Sequence, residues 1–270
     1  MARPVTLGLV QTRPVLGDQT ANLEQVLNLT ADAARQGAEI VIFPELALTG
    51  YNQDLLRDKL VELALTPQDE PIQRLAQAAA QHQIYLAVGY VERRAMPGIL
   101  YNSLVVCGPE GQILTSYAKS HLFSNEYLHF RTGDSIEVIP TKHGLVGLMI
   151  CMDIGYPEVG RLLALQGAEL IIAPSAWIRQ DADIWGVHLQ SRALDNFLFV
   201  AGINRVGVEG NLDFVGRSMV VNPRGHILAE LDGNQGILIT TIDLDDVASA
   251  RRRAMHLTGR RPELYGPLLK

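Results

Sequence analysis

The chain holds two cysteines, and one of them, Cys151, stands where chemistry could use it. It ends the apolar run "GLMIC", and Pro157 opens a new segment six residues later. A thiol reacts as its thiolate, and a free thiol with a pKa of ~8.5 is mostly protonated at neutral pH. A neighbouring base or a helix N-terminus supplies the activation. Glu45, closing "IVIFPE", has the chemistry of such a base. Lys119, following "ILTSYA", could set positive charge against the oxyanion formed when sulfur attacks a carbonyl. Glutamate, lysine and cysteine together are the parts for acyl transfer through a thioester.

Taken singly, each has an ordinary explanation. Cysteine is among the most buried residue types, and Cys107 in "SLVVCG" is assigned to the core on that ground. A Glu or Lys at a strand end is commonly just solvated. Position is what links the three. Glu45, Lys119, Cys151 and the pair Pro174-Ser175 each follow an apolar run and precede a turn. In open α/β sheets, ligands gather at the carboxyl ends of strands.

The elements that must position these residues follow from periodicity. Runs 5–11, 38–45, 84–93 and 100–119 read as strands, the last a hairpin turning on "GPEG". Helices are expected within 18–37, where Gly37 is the stop signal, and over 54–65 and 71–83. The second half repeats the pattern, with strands at 144–151, 168–176, 198–207 and 236–244 and a hairpin through "NPRG". Its helices fall at 157–166, 182–197 and 245–255. Strand–helix alternation with added hairpins predicts an α/β fold with sheets buried under helices. No linker interrupts it, so residues 1–270 are expected to form one domain.

The words around the three residues carry a resemblance. "FPELALTGY" (43–51), "YAKSHLF" (117–123) and "CMDIGYPE" (151–158) occur in this order, with "LYNSLVVCGPEGQIL", "FRTGDS" and "SRALDNFLFVAGINRVG" between and beyond them. Together they resemble the nitrilase, or carbon–nitrogen hydrolase, superfamily over nearly the whole chain. The resemblance implies a four-layer α-β-β-α sandwich that pairs into homodimers or larger homo-oligomers, commonly through helices 157–166 and 182–197. It implies Glu45 as general base, Cys151 as nucleophile, and Lys119 with the backbone N–H of Met152 as oxyanion donors. Glu126 matches a second glutamate that holds the triad and substrate in place; read alone it is a solvated loop carboxylate. Tyr51 and Trp177 fall where family members line the pocket. No metal or organic cofactor is required.

The same comparison narrows the reaction. Members that hydrolyse nitriles typically carry Trp-Glu after the cysteine, and here the pair is Met152-Asp153. That favours an amidase acting on a small aliphatic or ω-amide. An N-carbamoyl amidohydrolase is the alternative, followed by a nitrilase and by a silent binding protein on this fold. A Cys-His hydrolase using His121 or His129 ranks low, since nothing pairs either with Cys151.

Composition bounds the rest. With 270 residues, 47% hydrophobic and 19% charged, the chain has ample apolar material for a core. Its net charge of −6 argues against nucleic acid, which calls for a basic surface, and the run 251–253 reads as a solvated helix face. Two cysteines suit a reduced, cytoplasmic protein. No apolar run reaches the ~18 residues of a membrane span.

Overall fold

The computed structural model describes residues 2–269. The first sheet begins with β1 (Pro4–Gln11), β2 (Ile40–Ile42), β3 (Tyr85–Arg93), β4 (Leu100–Cys107) and β5 (Ile113–Ala118). The second contains β6 (Val138–Pro140), β7 (Leu145–Leu148), β8 (Leu170–Ser175) and β9 (Phe199–Asn204). A two-stranded ribbon follows, β10 (Val206–Glu209) and β11 (Leu212–Val215). β12 (Met219–Val221) and β13 (Ile227–Glu230) complete the second sheet, and β14 (Gly236–Asp243) returns to the first. The sheet orders are β14-β1-β2-β3-β4-β5 and β13-β12-β9-β8-β7-β6.

Alternation along the strands separates the layers. In β1, Val5, Leu7 and Leu9 join the core shared with the second sheet, whereas Val10 faces a cluster that includes Leu23 and Val26. Those two residues belong to α1 (Gln19–Arg35), which Asp18 caps by accepting the Ala21 N–H. Outside the first sheet, α1 packs on α4 (Glu70–His82). Outside the second, α5 (Pro157–Leu165) packs on α6 (Ala182–Asn196). The result is helices, sheet, sheet, helices, as the resemblance implies. The chain's final α-helix is α7 (Asp245–Arg253).

One expected helix differs. The segment 54–65 is divided into α2 (Gln53–Leu56) and α3 (Lys59–Leu63), separated by Arg57 at φ +46°. Both ends are tied from outside. Asn52 binds Glu209 through Nδ2–O and N–Oε2 contacts of 2.8 Å, and the Leu65 N–H donates to Val91 O at 2.9 Å. Leu56, Leu60 and Leu63 stay buried. The apolar spacing survives, but tertiary contacts override continuous helix.

Strand direction brings the reactive residues together. β1, β2 and β3 run parallel, and two antiparallel reversals through β4 return β5 to the same direction. The chain leaving β2 and the chain leaving β5 therefore emerge at one end of the first sheet. β7 and β8 run parallel in the second sheet, so Cys151 and Ser175 also share an end.

Candidate active site

Glu45, Lys119, Glu126 and Cys151 are all buried. Lys119 Nζ lies 2.7 Å from Glu45 Oε1 and 2.8 Å from Glu126 Oε1, and so bridges two carboxylates. Glu45 also accepts from Asn102 Nδ2 at 2.6 Å and, through Oε2, from the Ala176 N–H at 2.8 Å. Glu126 sits in a 3₁₀ turn, Ser124–Leu128, and caps it by accepting the Phe123 N–H at 2.8 Å. Tyr51 OH donates to its other oxygen, Oε1, at 2.8 Å. The solvated reading of an isolated Glu126 is thus corrected, because the 3₁₀ turn folds it inward onto Lys119.

Burial sets the protonation of this group. It pushes the Glu45 carboxyl above the ordinary carboxylate range, against the lowering pull of Lys119. Burial disfavours the Lys119 ammonium, but Glu126 and Glu45 outweigh it and hold lysine's pKa well above normal. The Cys151 thiol is also pushed up, first by burial and then by the Glu45 charge, with Lys119 opposing. The resting sulfur is a thiol, and its proton must leave as the reaction proceeds.

Cys151 opens a 3₁₀ turn, Cys151–Gly155, with φ of +45°. A non-glycine residue in that region costs roughly 1–3 kcal/mol and persists only where its surroundings hold it. Asp153 holds it. Its Oδ2 accepts from the Ile150 N–H at 2.9 Å and Tyr117 OH at 2.8 Å. Its Oδ1 accepts from the His121 N–H at 2.9 Å and Ser120 Oγ at 2.8 Å. The turn that carries Cys151 is thereby fastened to the chain on both sides of Lys119. His121 is taken up in the same device, with Nδ1 3.0 Å from Asp153 Oδ1 and its ring stacked on Tyr156 at 3.8 Å.

The pocket beside Cys151 is small, with a volume of about 50 Å³. Tyr51, Met152 and Trp177, all expected there, do line it, together with Phe123, Ala176 and Leu212. Trp177 is fixed by its N–H to Asn204 Oδ1 and its Nε1 to Asp181 O, both 2.7 Å. Tyr51 packs edge-on against Phe214 at 5.8 Å. Behind it, Glu209 Oε2 accepts the Tyr51 N–H at 2.9 Å, and Arg205 Nη2 stands 2.5 Å from Glu209 Oε1. That last pair is close but poorly aligned for hydrogen bonding, and the Arg205 guanidinium instead lies 4.2 Å over the Phe214 ring.

Two glycines admit the backbone of this site. A Cβ on Gly133, in "FRTGDS", would lie 2.1 Å from Ala118 O, next to Lys119. One on Gly89 would lie 2.4 Å from Leu46 N and 2.8 Å from Glu45 Cα. In both cases backbone, not a flexible side chain, blocks the methyl. Gly133→Ala is expected to destabilise the fold by about 1–3 kcal/mol. It should also lower kcat by roughly 10²-fold, because it displaces Lys119. Denaturant unfolding and steady-state kinetics measure the two effects, and an unchanged kcat would refute the positioning argument.

A four-layer α/β frame with a small pocket over a buried thiol at its strand ends is the architecture of an enzyme. The chain belongs to the carbon-nitrogen hydrolase family, which matches residues 6–252. It is 30% identical to the human omega-amidase over 276 residues, covering 98% of each chain. A crystal structure of a carbon-nitrogen hydrolase from Helicobacter pylori superposes with a TM-score of 0.93 at 30% identity, covering 99% of both chains. A variant of the amidase from Nesterenkonia sp. AN1 superposes at 0.84 with 28% identity, covering 97% of this chain and 95% of that one. That structure shows the acetamide moiety of fluoroacetamide covalently added at its active-site cysteine. The protein is a hydrolase acting on carbon–nitrogen bonds of the amide kind.

Sequence reasoning missed Asn102, which binds Glu45 from the middle of the "LYNS" word, and the anchoring work of Asp153. It also missed the Arg205–Glu209 pair behind Tyr51. The polar residues inside those words were the available signal.

Proposed function

We propose that the chain hydrolyses a small aliphatic or ω-amide to a carboxylic acid and ammonia through a thioester on Cys151. The observation that carries this reading is Lys119 held between Glu45 and Glu126, beside the pocket that Cys151 lines. In this scheme Cys151 Sγ attacks the amide carbon as its proton passes to Glu45. The carbonyl electrons move onto oxygen, where Lys119 Nζ and the Met152 N–H stabilise the oxyanion. The C–N bond then breaks, nitrogen takes the proton from Glu45, and ammonia leaves. Water gives a proton to Glu45 and attacks the thioester. The C–S bond breaks, the proton returns to sulfur, and the acid departs. Glu126 and Tyr51 position Lys119 and are not consumed.

Leu162 and Leu165 on α5 and Val187 and Leu194 on α6 are exposed, which supports pairing of two copies through these helices.

Ammonia release from a panel of amides, nitriles and N-carbamoyl compounds tests the reaction. Turnover of amides alone supports it, whereas turnover confined to nitriles or carbamoyl compounds replaces it. The pH profile adds a second check. Glu45 must be ionised to accept the thiol proton, and burial raises its pKa. Activity is therefore lost on acidification at a higher pH than for an ordinary glutamate of pKa about 4.3. An acid limb of kcat/KM at or below that value would exclude Glu45 as the base.

A further inference from the structure

Charge around the pocket distinguishes the two halves of that proposal, an uncharged aliphatic amide or an ω-amide bearing a carboxylate. The pocket wall is nearly all apolar, and no lysine or arginine lines it among the described residues. Asp181 does line it. The backbone carbonyl of Asp181 accepts from Trp177 Nε1, and its side-chain carboxylate has no hydrogen-bond or ion-pair partner among the described residues. Nearby cations are committed elsewhere. Arg179 turns to Asp213, with Nε 2.6 Å from Oδ2 and Nη2 3.4 Å from Oδ1. Arg205 is buried against Glu209. Lys119 is shared by two carboxylates, so the Glu45–Lys119–Glu126 group carries a net negative charge when both glutamates are ionised. A substrate carboxylate would meet an apolar wall that carries Asp181 and, among the described residues, no lysine or arginine.

We propose that Asp181 sets the charge preference of this pocket, favouring amides with uncharged or cationic tails and repelling those that end in a carboxylate. The proposal rests on the amide-hydrolysis reading and names the substrate class within it. Discrimination here comes from repulsion of the wrong ligand as much as from attraction of the right one.

The test compares butyramide with succinamate, amides of similar length that differ in the terminal carboxylate. The unaltered protein is expected to favour butyramide by roughly 10-fold or more in kcat/KM. Asp181→Asn should narrow the ratio by roughly 3–10-fold, and Asp181→Lys should invert it. The ratio should also shrink with added salt, because the pocket mouth is open to screening. Preference for succinamate in the unaltered protein, or a ratio indifferent to both substitutions, overturns the proposal. Calorimetric binding of the same two amides to Cys151→Ala reads the preference without turnover. If the chain releases no ammonia yet binds butyramide over succinamate, the selectivity stands and the reaction falls. If it releases ammonia but binds both equally, the reaction stands and the selectivity falls.

Discussion

Replacing Cys151 with alanine is expected to lower ammonia release from an amide substrate by roughly 10⁴-fold or more, the scale seen when a covalent nucleophile is removed. Cys151 supplies the only thiol among the described residues that line the pocket, and the charges of Glu45, Lys119 and Glu126 act on it. Cys107 is the internal control. It lies on β4 against the layer of α1 and α4, and burial alone pushes its thiol to about 12. Cys107→Ala should therefore retain turnover. Mass spectrometry of the enzyme quenched during turnover should find the acyl group on Cys151, and an adduct on Cys107 would refute the mechanism. A backbone contribution can be separated by a second substitution. Because Cys151 sits at φ +45°, Cys151→Gly should be more stable than Cys151→Ala by about 1 kcal/mol, although both are inactive.

How much of this was legible beforehand depends on the range of the interaction. Glu45, Lys119 and Cys151 stand at the ends of apolar runs, and strand ends are a local feature that a single chain displays. That they converge was not legible, because it depends on sheet order and on how the two sheets stack, which the local pattern does not display. Glu126 was not legible alone, since a carboxylate seven residues beyond Lys119 gains its burial from a 3₁₀ turn that no periodicity announces. Asn102 was hidden for another reason. It lies on β4, where a polar residue reads as the outward member of an alternating pair, yet this one faces two carboxylates.

Asp153 shows a different gap. Read as a marker separating amidases from nitrilases, it proves to hold the turn of Cys151 to Tyr117, Ser120 and His121 by side-chain contacts across more than thirty positions. The division of the 54–65 helix has the same origin. Asn52 and Leu65 are claimed by Glu209 and Val91, and neither partner is visible in the local pattern. Elements set by their own periodicity were readable, and those set by distant partners were not.

Removal of Lys119 is the second large effect, and it separates folding from chemistry. Lys119→Ala leaves Glu45 and Glu126 buried without their shared cation, which should cost about 3–5 kcal/mol of stability at neutral pH. The loss must depend on pH. Without the ammonium the Glu45 carboxyl, already raised by burial, moves further above its unfolded value of about 4.3, so the folded state binds more protons than the unfolded one through that interval. Stability of the variant therefore recovers as the pH falls through the raised native value of Glu45 toward 4.3. Adding Glu126→Gln removes one of the two charges and should restore part of the stability at neutral pH. Neither acidification nor the second substitution should restore turnover, because the oxyanion has lost its charged donor, an effect on the order of 10²–10³-fold. Denaturant midpoints measured from pH 5 to 8, set beside ammonia release, read both quantities. A stability loss that ignores pH would mean that the carboxylates are not what Lys119 holds in place. Full activity in Lys119→Ala would remove lysine from the mechanism.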